Sequence, residues 1–103
     1  MDRIAQIHQM LEKNPKDNFL RHALALEYIK TGDDSTAREL FEAILNEFPD
    51  YVGSYYHLAK LLERTGETEK AIQWYEKGMD VAKKAGDRHA YSELQGAYED
   101  LTT

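Results

Sequence analysis

Apolar residues recur three or four positions apart along most of this chain, as they do on the buried face of an α-helix. The four clearest stripes are Leu20, Leu24 and Tyr28; Phe41, Ile44 and Phe48; Tyr55, Leu58 and Leu62; and Ala71, Tyr75, Met79 and Ala82. This spacing predicts four helices between residues 18 and 85.

Glycines and hydroxyl side chains separate these stripes. Gly32 and Gly66 each follow a basic residue and a threonine, where a helix can end with a residue in the left-handed conformation. Ser35 or Thr36, and likewise Thr68, stand where the side chain can cap the next helix. We therefore expect helix–turn–helix pairs.

The pattern repeats after 34 residues, so that Pro15 falls on Pro49. The other coincident positions are Leu24-Ala25 with Leu58-Ala59, Thr31-Gly32 with Thr65-Gly66, Ala37 with Ala71, and Phe41 with Tyr75. Proline lacks the N–H that a helix interior needs, so the two prolines mark boundaries between units. The repeated alanines are small where paired helices must approach closely.

With these residues in this order, the sequence resembles the tetratricopeptide repeat family, whose unit is a helix–turn–helix of about 34 residues. The resemblance implies an all-α fold, a right-handed superhelix of antiparallel helix pairs with about six helices. The sequence departs from the family pattern at Arg21, where an aromatic residue is preferred, at Gly78, and at Lys83, where proline would fall.

Single helices are expected on both sides of the two repeats. Residues 2–13 carry one apolar stripe and look like the second helix of a preceding unit. After the second repeat the match requires a shift of 36 residues, which places Tyr91, Leu94 and Tyr98 on Tyr55, Leu58 and Leu62. We place the two extra residues in the turn at 85–88.

Residues 1–103 are thus predicted to form a single domain. Its parts are an N-terminal helix at 2–13, a first repeat at 17–50, a second repeat at 51–85 and a C-terminal capping helix at 88–101. Gln95 stands at the position that the small residue Ala59 occupies in the second repeat. A polar residue there indicates that this face of the helix is exposed to solvent and that no further helix packs on it. We therefore expect a closed stack of two units.

Composition narrows the function. The chain has no cysteine and a net charge of −6. It lacks the basic face that a nucleic-acid-binding protein needs, and its apolar runs are far shorter than a membrane span. Since it also shows no basic start followed by an apolar block, we expect a cytoplasmic protein that binds neither nucleic acid nor membrane.

No catalytic constellation is recognisable. The four histidines form no H-x-x-x-H pair, and the sequence contains no G-x-S-x-G or phosphate-binding glycine loop. The carboxylates alternate with lysines and arginines, as on solvated helix faces. We expect no enzymatic activity, no metal and no cofactor.

The remaining candidate is a binding surface for a protein or peptide. In the tetratricopeptide repeat family, the first helix of each unit lines a concave groove that holds an extended or helical peptide. Helical phase then implies three stripes: His22, Leu26 and Ile29; Tyr56, Lys60 and Glu63; and Ser92, Gly96 and Glu99. Leu26 and Ile29 are expected to be exposed beside Tyr56, or else to pack on one another.

Two further hypotheses concern the occupant of this surface. One subclass of the family grips a C-terminal carboxylate with lysine and asparagine, but this row offers Lys60 without an asparagine. An apolar anchor with a nearby acidic group is therefore the expected ligand. The alternative is self-association, a homodimer formed through the groove or through Trp74, which is expected either to be partly exposed or to cover residues 4–11.

Overall fold

The computed structural model describes residues 2–103, which form six α-helices and no strand. The helices are α1 (Arg3–Lys13), α2 (Asn18–Lys30), α3 (Asp34–Glu47), α4 (Gly53–Arg64), α5 (Thr68–Ala85) and α6 (Arg88–Thr102). The expected all-α class is confirmed.

The helices fall into two compact units. The first ends at Glu47 and contains α1, α2 and α3; the second, Phe48–Thr103, contains α4, α5 and α6. In each unit, helices that follow one another in the chain pack together.

Paired helices within a unit run antiparallel. In the second unit the hydroxyl of Tyr75 reaches Glu63 near the turn, whereas Gly78 lies against Tyr55 at the far end of α4. Residue numbers therefore rise along α5 as they fall along α4.

The cores of both units contain the residues that the apolar pattern predicts. Ala25, Ala37, Ala59 and Ala71 are all 0% exposed, so no space is left at the helix contacts for a larger side chain. The remaining buried apolar residues are Ile7, Leu24, Phe41, Ile44 and Leu45 in the first unit, and Tyr55, Leu58, Leu61, Leu62, Tyr75, Ala82, Leu94 and Ala97 in the second.

The helix ends confirm the turns and correct the caps. Gly32 and Gly66 have φ of 85° and 87°, the left-handed conformation that favours glycine. The cap of α3 is Asp33, whose carboxylate accepts hydrogen bonds from the N–H and the hydroxyl of Thr36. Thr68 is itself the first residue of α5. The predicted hydroxyl caps were wrong: at α3 the carboxylate of Asp33 takes the capping position before either hydroxyl, and at α5 the residue before the helix, Glu67, makes no side-chain capping hydrogen bond.

Helix α5 is longer than the repeat predicts. It has 18 residues against 14 in α3, and only Gly86 and Asp87 separate it from α6. The helix gains four residues, while the connection to the next helix shortens from five residues (48–52) to two (86–87). The two extra residues of the shift therefore do not enlarge the turn. The physical reason is Lys83 at the position of proline: its N–H lets the helix continue.

Near the end of α3 lies a charged cluster around Arg21, the position at which the family prefers an aromatic residue. Arg21 is 8% exposed and donates to Asn18 Oδ1 at 2.7 Å and to Glu47 Oε2 at 3.3 Å. Lys16 donates to the other oxygen of Glu47 at 2.8 Å. The hydrogen bond from Lys16, together with the positive charges of Lys16 and Arg21, lowers the pKa of Glu47.

Phe48, predicted in the helical stripe, lies just beyond α3 and is 37% exposed.

Candidate functional site

Helix α4 places Tyr56, Lys60 and Glu63 in one half-buried stripe. The ammonium of Lys60 lies 5.8 Å from the centre of the Tyr56 ring, within range of a cation–π attraction. Its Nζ is 3.9 Å from Glu63 Oε2. The predicted α4 row is therefore a set of mutually contacting side chains.

Tyr75 of α5 fixes the acidic end of this row. Its ring is buried, and its hydroxyl donates a 2.8 Å hydrogen bond to Glu63 Oε2. Burial and this hydrogen bond to a carboxylate raise the pKa of Tyr75 well above its usual range. The phenol thus stays protonated and holds Glu63 in one orientation.

His57 connects the stripe to α6. Its ring packs edge-on against Tyr56, with centroids 5.6 Å apart. Burial lowers the pKa of His57, while the charge of Glu93 on α6 opposes that shift. Because α4 and α6 also contact each other directly, the two helices present neighbouring surfaces of the second unit.

The row on α6 is fully open. Ser92, Gly96 and Glu99 are all exposed, and a Cβ added to Gly96 would meet nothing within 4 Å. Ser92 also lies at the edge of a surface pocket beside the turn between α5 and α6. These three side chains leave room for a ligand along α6.

The row on α2 belongs to the first unit. His22, Leu26 and Ile29 are half-buried, and the His22 ring packs edge-on against Phe41 of α3 with centroids 5.5 Å apart. Leu26 and Ile29 are therefore neither fully exposed nor buried, and their part in a groove stays a prediction.

The comparison with known families decides the classification of the chain. The family model described as tetratricopeptide repeat matches residues 28–98, from the last turn of α2 into α6. The chain belongs to the tetratricopeptide repeat family.

Solved structures of this family superpose closely. A tetratricopeptide repeat domain protein from Salinibacter ruber is 46% identical in its crystal structure, with a TM-score of 0.79 over 82% of this chain and 94% of that one. Its solution structure gives 45% identity and a TM-score of 0.82, covering 85% and 89%. A protein from Bordetella parapertussis is 26% identical, with a TM-score of 0.84 over 98% and 88%. No curated protein sequence matches the chain.

The tetratricopeptide repeat fold commonly mediates protein–protein interaction, and proteins of this family are generally non-enzymatic scaffolds. Among residues 2–103 no three histidine, aspartate or glutamate side chains are grouped so that they could hold a metal ion. Within the same residues, every helix is too short or too polar to cross a membrane.

Trp74 has partners inside the second unit. Its ring packs on Tyr55 with centroids 5.8 Å apart, and the ammonium of Lys77 lies 5.2 Å from its centre. The side chain is half-buried, as the partly exposed alternative requires.

Sequence reasoning missed Tyr75, His57 and Glu93 as contributors to this surface. The apolar pattern predicts Tyr75 only as a core residue. Its counterpart Phe41 has no hydroxyl, so the repeat gives no sign of the hydrogen bond to Glu63. A usable signal does exist for the other two: the shift of 36 residues that pairs Tyr55 with Tyr91 also pairs His57 with Glu93.

Proposed function

We propose that this protein is a non-enzymatic scaffold that binds a protein or peptide segment along α4 and α6 of its second unit. The observation that carries the proposal is the Tyr56–Lys60–Glu63 row, preset by Tyr75. Side chains already held in place lose little entropy when a ligand binds. Ser92 and Glu99 on α6 supply the open, polar edge of the same face.

The charges around the row favour an aromatic or aliphatic anchor on the ligand. Glu63 lies close to Lys60, so its negative charge partly neutralises the lysine. We expect Tyr56 to supply most of the affinity and Lys60 to add a contact with an acidic group of the ligand. Leu26 and Ile29 offer apolar area in the first unit.

We further propose that the repeats run over 17–50 and 51–85, with α6 acting as the capping helix. The order of small and aromatic residues supports these bounds. The expected cytoplasmic location stays a prediction.

The test is affinity capture with the full chain as bait, followed by mass spectrometry. We expect the double variant Tyr56→Ala/Lys60→Ala to lose most of the proteins that the wild type captures. Lys70→Ala is the matched control, because Lys70 is an ion-paired lysine on the first turn of α5. Circular dichroism confirms that each variant is folded. Equal capture by the folded double variant would refute the proposed surface.

Self-association is the second candidate, and an exposed aromatic residue favours it. Phe19, at the start of α2, is 70% exposed, and burying its ring against a second copy would remove apolar surface from water. Sedimentation at several protein concentrations tests the idea. A dimer that disappears in Phe19→Ser supports self-association, whereas a monomer at every concentration excludes it.

A further inference from the structure

A surface pocket of about 480 Å³ lies where α5 meets α6. Its lining residues are Ala82, Lys83, Gly86, Asp87, Arg88, Tyr91 and Ser92. All of them belong to the second unit. The last turn of α5, the one that extends beyond the repeat, forms one wall of the pocket.

Tyr91 forms the aromatic wall of this pocket, and one face of its ring is left uncovered. Tyr91 is the counterpart of Tyr55 under the shift of 36 residues. Tyr55 is buried and packs against Trp74 with the two rings tilted by 46°, and its hydroxyl donates to the carbonyl of Pro49. Tyr91 is half-buried; its backbone N–H donates to the carbonyl of Asp87, but its side chain makes no ring contact or hydrogen bond within residues 2–103. The protein thus covers one tyrosine with an aromatic ring and leaves its equivalent open.

Two cations flank the open tyrosine. Lys83 and Arg88 are exposed, and neither makes an ion pair with any other part of the described chain. By contrast, the neighbouring Lys84 pairs with Asp80 at 3.0 Å. The carboxylate of Asp87 accepts the N–H of Ala90 at 3.0 Å and is thereby engaged as the cap of α6. The pocket therefore has a positive rim on a protein whose net charge is −6.

We propose that this pocket binds a partner segment in which an aromatic side chain stands between acidic residues. The aromatic ring packs on Tyr91, as Trp74 packs on Tyr55, and the carboxylates lie against Lys83 and Arg88. Aromatic stacking and charge complementarity together define the ligand. This site is separate from the Tyr56–Lys60–Glu63 row, with which it shares only the edge residue Ser92.

The test uses three synthetic peptides with blocked ends, titrated into the isotope-labelled full chain and followed by NMR. The probe is Glu-Glu-Trp-Glu-Glu; the controls are Gln-Gln-Trp-Gln-Gln, without charge, and Glu-Glu-Ala-Glu-Glu, without the ring. We expect the probe to shift the amide signals of residues 82–92 at lower concentration than either control. The shift should weaken when salt is raised, since partly exposed charges are screened.

Variants then assign the contacts. Each of Lys83→Ala and Arg88→Ala should weaken binding of the probe about threefold, the size of a partly exposed ion pair. Tyr91→Ala should weaken it by about three- to tenfold, while Tyr91→Phe, which keeps the ring, should bind like the wild type. Lys70→Ala removes the same charge from the same helix, about 20 Å from Lys83 along the axis, and should change nothing.

Three outcomes overturn the proposal. Equal shifts with the uncharged peptide remove the role of the cations, and unchanged binding by folded Tyr91→Ala removes the stacking. Signals of residues 82–92 that move with protein concentration alone show that a second copy occupies the pocket. Shifts confined to residues 56–63 would assign the peptide to the other row and leave this pocket without a ligand.

Discussion

Gly78 is the glycine of the second unit with the least room for a side chain. A Cβ added there would lie 2.7 Å from Tyr55 Cβ and 3.1 Å from Leu94 Cδ1. The three helices of the unit thus meet at a glycine that has no positive φ and is needed for space alone.

Gly78→Ala should therefore lower the free energy of unfolding by about 1–3 kcal/mol, the usual cost of overpacking. Urea unfolding followed by circular dichroism measures the change. Gly96→Ala is the matched control, because Gly96 is also inside a helix but has open space around it; there the free energy should rise by about 0.5–1 kcal/mol. The account of Gly78 fails if both variants are stabilised alike.

At this scale the sequence predicts packing better than polar contacts. The small alanines and the turn glycines follow from the repeat, because size and backbone conformation recur with it. The hydrogen bond from Tyr75 to Glu63 does not recur, since Phe41 stands at the equivalent position. Periodicity describes which face is apolar and carries no information about a hydroxyl at its edge.

Among the helices, the contact between α4 and α6 brings the negative charge of Glu93 within reach of the half-buried ring of His57. Burial depresses the pKa of His57, and Glu93 on α6 counteracts that depression by favouring the protonated form. Removing the carboxylate leaves only the burial.

Glu93→Gln should accordingly lower the pKa of His57 further, as measured by the ring proton shifts in an NMR titration. A folded pKa below the unfolded value means that His57 contributes stability above the unfolded pKa and loses it as the pH falls. The variant should therefore lose more stability than the wild type between about pH 7 and pH 5. A raised or unchanged pKa would show that Glu93 does not act on His57.

The helices show where sequence reasoning stops. Six helices were expected and six are present within residues 2–103, because each has an apolar stripe of helical period. The length of α5 does not follow from the repeat, although lysine stands at position 83 where the family has proline. A residue with a backbone N–H allows a helix to continue but does not make it do so. Whether the helix continues depends on how its side chains pack, here those of Val81 and Ala82.

Across the whole molecule, burial is unevenly distributed. Helix α1 has a single buried side chain, Ile7, whereas α4 has six buried residues in 12. Since local opening is easiest where few side chains are buried, the helices should differ in local stability.

Hydrogen exchange measures this difference directly. We expect the amides of α1 to exchange first and those of α4 last when rates are corrected for intrinsic exchange. Ile7→Ala, which removes the one anchor of α1, should speed exchange in that helix still further. Equal protection of α1 and α4 in the wild type would show that burial does not set the order of opening.

The fold of the molecule was thus predictable, while its binding surface was only partly so. Helical phase correctly grouped Tyr56, Lys60 and Glu63 on one stripe. It did not foresee that His22 packs on Phe41, because phase describes one helix and the contact comes from its partner.

The length of α5 also has an evolutionary consequence. A change at codon 83 that introduced proline would end the helix about one turn earlier and remove one wall of the pocket beside Tyr91. The repeat could keep its core and its turn while losing that pocket. Homologous genes can therefore be sorted at this one codon into those able to keep the pocket and those that cannot, and partner preference can be expected to follow the same division.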